Sequence, residues 1–339
     1  MEANKPGADM LLTSIRRFLA LPASTQQATE TFASLAAASN MLQPFALERM
    51  ERQIREEITA NNAAASPPRW WRQACPRPLT WLDLCNADGY VRERCLRCLG
   101  PAPSAFFMSL AIRRLNDWVP EVRTSARENL FRIASLSEPS HVAGALGQLL
   151  PSMNSWGRMQ ADEWPVIGQL MATEAIAATL IRQIVQATTG PQAAIFVQAA
   201  RTQALDHTLL DLATQAAQPA VRATAYRFLL EDRVTWTSGR AWVWTDLKWC
   251  KGRFEPVFAQ RQLTTNWPAH TVLKSALEDR APHVRRVGGQ FLAKHLDIPD
   301  ARAWATRLAA DRSSQVAVWG RHALTRLRED PLPPAAAPP

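Results

Sequence analysis

Residues 279–292 read DRAPHVRRVGGQFL, and the fold follows from how this stretch is built. Pro282, two residues before Val284, pre-sets the backbone for the first turn of a helix. Asp279, five before it, is placed to accept backbone N–H groups in the turn. A small residue, Gly288, follows Val284 by four, and Leu292 follows it by eight. Offsets 0, 4 and 8 fall within about 80° of one another on a helix, so they form one narrow apolar stripe. The small residue in its middle lets a neighbouring helix come close. The same pattern recurs at Val91/Cys95/Leu99, Val122/Ala126/Leu130, Val221/Ala225/Leu229 and Val316/Gly320/Leu324, which makes it an internal repeat.

The five anchors are 31, 99, 63 and 32 residues apart. Taking 99 as three units and 63 as two gives about 32 residues per unit, the length of two short helices and their turns. Degenerate units are then expected near Trp156, Thr188 and Gly252. A lone helix pair cannot bury its stripe, whereas stacked pairs can.

The residues around the anchors agree from unit to unit. Asp117, Asp279 and Asp311 stand five before an anchor, with Asn86 in the same place, and Pro120, Pro219 and Pro282 stand two before. Arg92, Arg123, Arg222 and Arg285 follow it directly, while the last unit has Ala317. This Asp, Pro, Val-Arg, small, Leu pattern resembles the HEAT-repeat family over roughly residues 76–328. The resemblance implies an all-α fold, a right-handed α-solenoid of HEAT-like helical hairpins of the armadillo type. It also implies that the turn Asp and the Arg after the anchor bond between adjacent units, so these arginines are expected to be structural. About activity it says little, because such arrays serve many functions.

The 339 residues are 47% hydrophobic and 20% charged, an ordinary balance for a soluble chain. The longest apolar stretch, Val166–Ile181, is interrupted by Gln169 and Glu174 and is too broken for a membrane span. The opening MEANKPGADM lacks the basic-then-apolar order of a secretory signal. A cytoplasmic protein without membrane contact is expected. Residues 1–60 carry helical stretches at Leu11–Leu19, Gln26–Ser39 and Pro44–Ile58, and residues 61–75 read as a linker. Residues 76–330 form the array, with Pro78 opening a helix that carries Leu82 and Leu84. Residues 331–339, all Pro, Ala and Leu, cannot continue a helix.

The formal charge of +9 is unevenly placed, since residues 221–339 hold 19 Lys and Arg against 11 Asp and Glu. Such a field favours an anionic partner, although Arg outnumbers Lys 34 to 5, as a GC-rich coding bias produces. The cysteines fit a reducing compartment. Cys95 and Cys98 form a lone C-x-x-C within a helix, and their spacing from Cys75 and Cys85 matches no common zinc arrangement, so packing is expected and no metal or cofactor.

The array is interrupted at residues 233–261, RVTWTSGRAWVWTDLKWCKGRFEPVFAQR. Trp236, Trp242, Trp244 and Trp249 stand there among Arg240, Lys248, Lys251 and Arg253. The two-residue alternation of Trp242 and Trp244 fits a strand or hairpin better than a helix. Flat aromatics among cations suit a protein-interface hot spot, base stacking with phosphate neutralisation, or inward packing between units. Offsets 2, 6 and 9 point away from the apolar stripe. By resemblance they would line a concave face, where Arg97, Arg227 and Arg286 are candidate contacts.

The expectation is a non-catalytic scaffold or adaptor that binds a protein partner through its concave face and the Trp/Arg insertion. The alternative is a DNA-binding protein using the basic C-terminal third. HEAT-like arrays include alkylpurine DNA glycosylases, and Trp242 and Asp246, four apart, would share a face if the segment were helical, making Asp246 the catalytic residue of that alternative. The histidines are scattered, without metal spacing, and no nucleophile elbow or phosphate-cradling loop is present.

Overall fold

The computed structural model describes residues 5–21, 26–39, 47–64, 79–159 and 162–329. Among these residues the chain is mostly helical, with one two-stranded antiparallel sheet. It divides into two compact units, residues 1–180 and 181–339.

The first unit contains α1 (Lys5–Leu19), α2 (Gln26–Ser39), α3 (Leu47–Ala64), α4 (Gly89–Cys98), α5 (Ala105–Arg113), α6 (Pro120–Leu136), α7 (Pro139–Met153), α8 (Trp164–Ala172) and the start of α9 (Glu174–Gln186). Helix α4 packs on α6, α5 on α7, and α6 on α8. The N-terminal helices belong to this body. Phe18 meets Phe32 at 5.4 Å between ring centroids, and Phe32 meets Phe107 of α5 at 5.5 Å. A chain of buried charges runs from α3 through Glu51, Arg114 and Asp117 to Arg92 of α4. Here the sequence expectation needs correcting twice. Asn61–Ala64 continue α3 rather than opening a linker. Leu82 and Leu84 lie on a single 3-10 turn, Trp81–Cys85, rather than on a helix. The rest of the expected linker, Pro78, and the tail at 331–339 lie outside the described residues.

The second unit follows with α10 (Gln192–Ala199), α11 (Leu209–Gln215), α12 (Pro219–Glu231), β1 (Arg233–Asp246), β2 (Lys251–Gln262), α13 (Ala269–Leu277), α14 (Pro282–Leu292), α15 (Ala301–Ala309) and α16 (Ser314–Glu329). Helix α12 packs on α14, and α14 on α16. Each also packs on the helix before it, α11, α13 and α15 respectively. The stripe explains this. Val221, Ala225, Val284, Gly288, Val316 and Gly320 are all buried, and a Cβ on Gly320 would sit 2.2 Å from the backbone nitrogen of Ala309. Only a hydrogen fits where α16 crosses α15. Two positions depart from the pattern, since Val91 and Leu324 are half-buried.

The expected degenerate unit near Gly252 does not exist as helices, because Gly252 lies in β2. Helices α12 and α14 pack directly, so the 63 residues between Val221 and Val284 make one step with a hairpin inserted. Trp156 and Thr188 fall in the links that precede α8 and α10. Among the described residues no single helix is long and apolar enough to cross a membrane. The apolar stretch Val166–Ile181 breaks at Thr173, between α8 and α9.

Candidate functional site

The turn arginines are consumed within the helical units. Arg92 donates through Nε and Nη2 to both carboxylate oxygens of Asp117 at 3.0 and 2.7 Å, and through Nη1 to the carbonyls of Asn86 and Ala87. Arg222 repeats the arrangement with Asp279 at 2.8 and 2.9 Å and with the Ala216 and Ala217 carbonyls. Arg285 repeats it with Asp311 at 2.7 and 2.9 Å and with the Asp279 and Arg280 carbonyls. Each of these carboxylates also accepts the N–H two residues on, from Val119, Ala281 or Ser313. The guanidinium fork thus joins one helix to the turn before the next. The Arg285 hydrogen bond, working against burial and helped by the Ser313 N–H, holds the Asp311 carboxyl below its ordinary range. Arg123 departs from the set and donates only to the Asp117 carbonyl.

The insertion is a β-hairpin. Asp232 takes the left-handed conformation after α12 (φ 52°) and turns the chain into β1, and its side chain accepts from Gln262 at 2.6 Å across the root. Arg261, at the end of β2, fixes that root. It donates to both oxygens of Asp206, and to the carbonyls of Ala200 and Thr202 at 2.6 Å each. Burial would raise the Asp206 carboxyl, but the bonds from Arg261 and Thr264 outweigh it and the group is held low. Val234 is fully buried, and Arg201 lies over the Trp236 ring at 5.3 Å. The far end is closed by Leu247–Cys250, where Asp246 accepts the N–H of Trp249 and Cys250 has φ 49°.

Register decides which side chains share a face. Bulges interrupt β1 at Ser238 and Thr245, but every residue of β2 from Lys251 to Gln262 is paired. Arg233, Arg240, Trp242 and Trp244 oppose Gln262, Pro256, Phe254 and Gly252, the even positions of β2, and so lie on one face with Phe258. Val234, Trp236, Val243 and Asp246 oppose odd positions and lie on the other. The Trp242 ring meets Phe254 edge-on at 5.0 Å and Trp244 at 5.5 Å, and it covers the bare backbone of Gly252.

Unlike a packed insertion, this hairpin leaves its aromatics in solvent. Trp244 is 52% exposed and Trp249 66%, and eight of the fourteen exposed large apolar side chains among the described residues fall between Trp242 and Phe258. Inward packing holds for Trp236 and fails for Trp242, Trp244 and Trp249. Of the predicted cations, Arg253 is paired with Glu255 at 2.8 Å. Arg240, Lys248 and Lys251 make no ion pair among the described residues, and Lys248 sits 5.5 Å from the centroid of Trp249. Trp242 and Asp246 are not on a helix, and the bulge at Thr245 puts them on opposite faces of the ribbon. The geometry on which the glycosylase alternative rested is therefore absent.

The remaining candidates separate. Arg97 stands in the first unit and pairs with Glu93 at 2.5 Å. In the second unit Arg286 contacts His283 at 3.0 Å, and burial together with the charges of Arg286 and Arg227 holds the His283 imidazole below its ordinary value. Sequence reasoning passed over Phe254, Phe258 and Leu247. Nor did it single out Arg261, the last cation of the segment. The i, i+4 spacing of the two phenylalanines on the strand opposite the tryptophans was the available signal. Cys85 and Cys95 are buried with thiols pushed up by burial, and no group of three His, Cys, Asp or Glu among the described residues could hold a metal ion. No protein-family model and no curated protein matches the chain.

Proposed function

We propose that the chain is a HEAT-like α-solenoid that acts as a non-catalytic scaffold and presents its hairpin as an arm for docking a protein partner. The observation that carries this reading is the exposed outer face of the ribbon, where Trp242, Trp244, Phe254 and Phe258 stand together while the root is anchored by Arg261 and Asp206. A two-stranded ribbon is marginal by itself, so an anchored one with its apolar face uncovered is suited to being completed by something else. The solenoid part rests on helices that pack side by side in order within each unit, and on the three forked Arg–Asp pairs that join consecutive turns.

A protein is favoured over nucleic acid by the company the tryptophans keep. Leu247 is exposed in the tip beside Trp249, and Val243 and Val257 are exposed on the opposite face of the same ribbon; branched aliphatic side chains bury against apolar protein surface but offer nothing to a base. Three of the six basic residues are already committed to Glu231, Glu255 and Asp206. Arg240, Lys248 and Lys251 are left as a charged rim, which suits a partner with an apolar patch edged by carboxylates.

The test is photo-crosslinking from position 249 in the native host, followed by affinity measurement with the purified crosslinked protein. Trp242→Ala with Trp244→Ala should weaken that affinity by roughly 30-fold or more, as hot-spot tryptophans do, with an unchanged melting temperature. Equal affinity for the double variant, or crosslinking to nucleic acid alone, would remove the arm as a protein-docking element.

A further inference from the structure

The second unit holds two open clefts whose charges behave differently. One, about 240 Å³, is lined by three cations, Lys274, Arg285 and Arg307, and three carboxylates, Glu278, Asp279 and Asp311, and all of these but Lys274 are bound to a partner of opposite sign. The other, about 310 Å³, lies between α12 and α14 at the foot of the hairpin. Its basic groups are Arg227, Arg233, Lys294 and His295, and its one carboxylate, Glu231, is taken by Arg233 at 3.4 Å. Arg227 and Lys294 make no ion pair among the described residues. Close by, Arg286 keeps a buried Nε without a hydrogen-bond partner. The first cleft is neutralised from within. The second holds two cations, Arg227 and Lys294, that no carboxylate among the described residues answers.

Its remaining walls narrow the ligand. Leu230 and Val287 are buried and form an apolar floor. Phe291 and His295 are stacked, with centroids 4.2 Å apart and planes at 29°, and present a flat wall beside the cations. The Gln290 amide can both donate and accept at the rim. A lone phosphate would leave the floor and the flat wall wet, and an apolar ligand would strand the cations. A space of this size with cations at one side and a flat apolar wall at the other suits one nucleotide.

We propose that the α12/α14 cleft binds a nucleotide, with the phosphate held by Arg227 and Lys294 and the base laid against Phe291 and His295. The same chemistry is offered by a free mononucleotide and by one residue of a single strand. The cleft meets the ribbon only at its root, through Arg233, and takes in none of Trp242, Trp244, Phe254 and Phe258, so the proposal stands or falls independently of the docking reading.

Titration calorimetry on the full chain with adenosine, guanosine, cytidine and uridine monophosphates tests it. Inorganic phosphate, the parent nucleosides and an eight-residue oligonucleotide are run beside them. At least one monophosphate should bind at least about tenfold more tightly than its nucleoside and than phosphate alone. Arg227→Ala and Lys294→Ala should each weaken it by about tenfold, with the melting temperature unchanged because both side chains are exposed. Lys274→Ala, an exposed cation of the other cleft, should leave it unaltered. An oligonucleotide that binds roughly a hundredfold tighter than the monophosphate identifies a strand as the source, and equal affinity identifies the free nucleotide. Three results would overturn the proposal: no monophosphate binding up to about 5 mM, phosphate binding as tightly as the nucleotides, or binding indifferent to both substitutions.

Discussion

Arg92 and Arg240 are the same side chain in opposite situations. Arg92 has no exposed side-chain surface and is held by a carboxylate and two carbonyls, while Arg240 stands on an open ribbon without an ion pair among the described residues. The tryptophans divide the same way, since Trp81 lies in the core of the first unit and Trp244 in solvent. Within the helical units, charge and aromatic surface hold the fold together. On the hairpin beyond its root, Arg240, Lys248, Lys251, Trp244 and Trp249 are neither ion-paired nor covered among the described residues. A side chain's type therefore says less about function than whether the fold has already satisfied it.

The largest effect that can break this contrast lies at Asp117. It accepts from Arg92 and Arg114, both buried, and it caps its own turn through the Val119 N–H. Asp117→Ala would leave two guanidinium groups in the interior with only Glu51 and carbonyls to answer them. A loss of about 3–5 kcal/mol is expected, as when one partner of a buried pair is removed. Arg240→Ala should change stability by less than about 0.5 kcal/mol. Denaturant titration of both variants measures the difference, and similar midpoints would show that the turn pairs and the hairpin cations are not distinct classes.

The next effect comes from glycine. At Gly320 an added Cβ would meet backbone on three sides, at 2.2 Å from Ala309 N, 2.6 Å from Leu308 C and 2.8 Å from Ala305 O. Backbone cannot rotate aside, so Gly320→Ala must push α16 off α15, at a cost of about 1–3 kcal/mol or more. At Gly288 the nearest atom is Leu277 Cδ2 at 2.8 Å, the end of a side chain that can turn. Gly288→Ala should therefore cost distinctly less. Thermal melts of the pair sharpen the comparison into one between two places in the same stripe, and an equal cost would mean that helix spacing does not set it.

These two predictions mark what the sequence made legible. The stripe and the proline helix starts were readable because each is a local pattern repeated at fixed offsets, and repetition separates signal from chance; the Arg–Asp pairing was implied by the resemblance that those repeats carry. The strand character around Trp242 and Trp244 was readable from their alternation. The step count was not, because spacing alone cannot tell a degenerate helix pair from a hairpin of similar length. The exposure of Trp242 was not readable either, since alternation fixes a face but not what covers it. Arg261 shows the limit most sharply. In sequence it is one more cation of the insertion, and only contact with Asp206, 55 residues away, makes it the anchor. The α12/α14 cleft escaped for the same reason, because Lys294 and His295 follow α14 in an unremarkable turn and acquire meaning only beside Arg227.

The smallest effect expected of the glycine substitutions, and the most discriminating, is at Gly252. An added Cβ would fall 2.5 Å from Trp242 Cε2 and 2.6 Å from Cζ2, so the indole rests on the glycine backbone itself. The obstruction here is an exposed side chain rather than backbone, and Gly252 carries no left-handed φ that alanine would strain. In Gly252→Ala the ring swings out, giving up its edge contacts with Phe254 and Trp244. Those contacts are worth about 0.5–1.5 kcal/mol each where buried and less in solvent, and alanine recovers part through its better strand entropy. The net change in stability should stay below about 1 kcal/mol, far under that of Gly320→Ala. The shape of the aromatic face should nonetheless change, read as altered near-ultraviolet circular dichroism of the coupled indoles and a roughly tenfold loss of partner affinity. If instead the substitution unfolds the protein, the Trp242 cluster holds the fold together as the turn pairs do, and the hairpin is not a surface kept open for a partner.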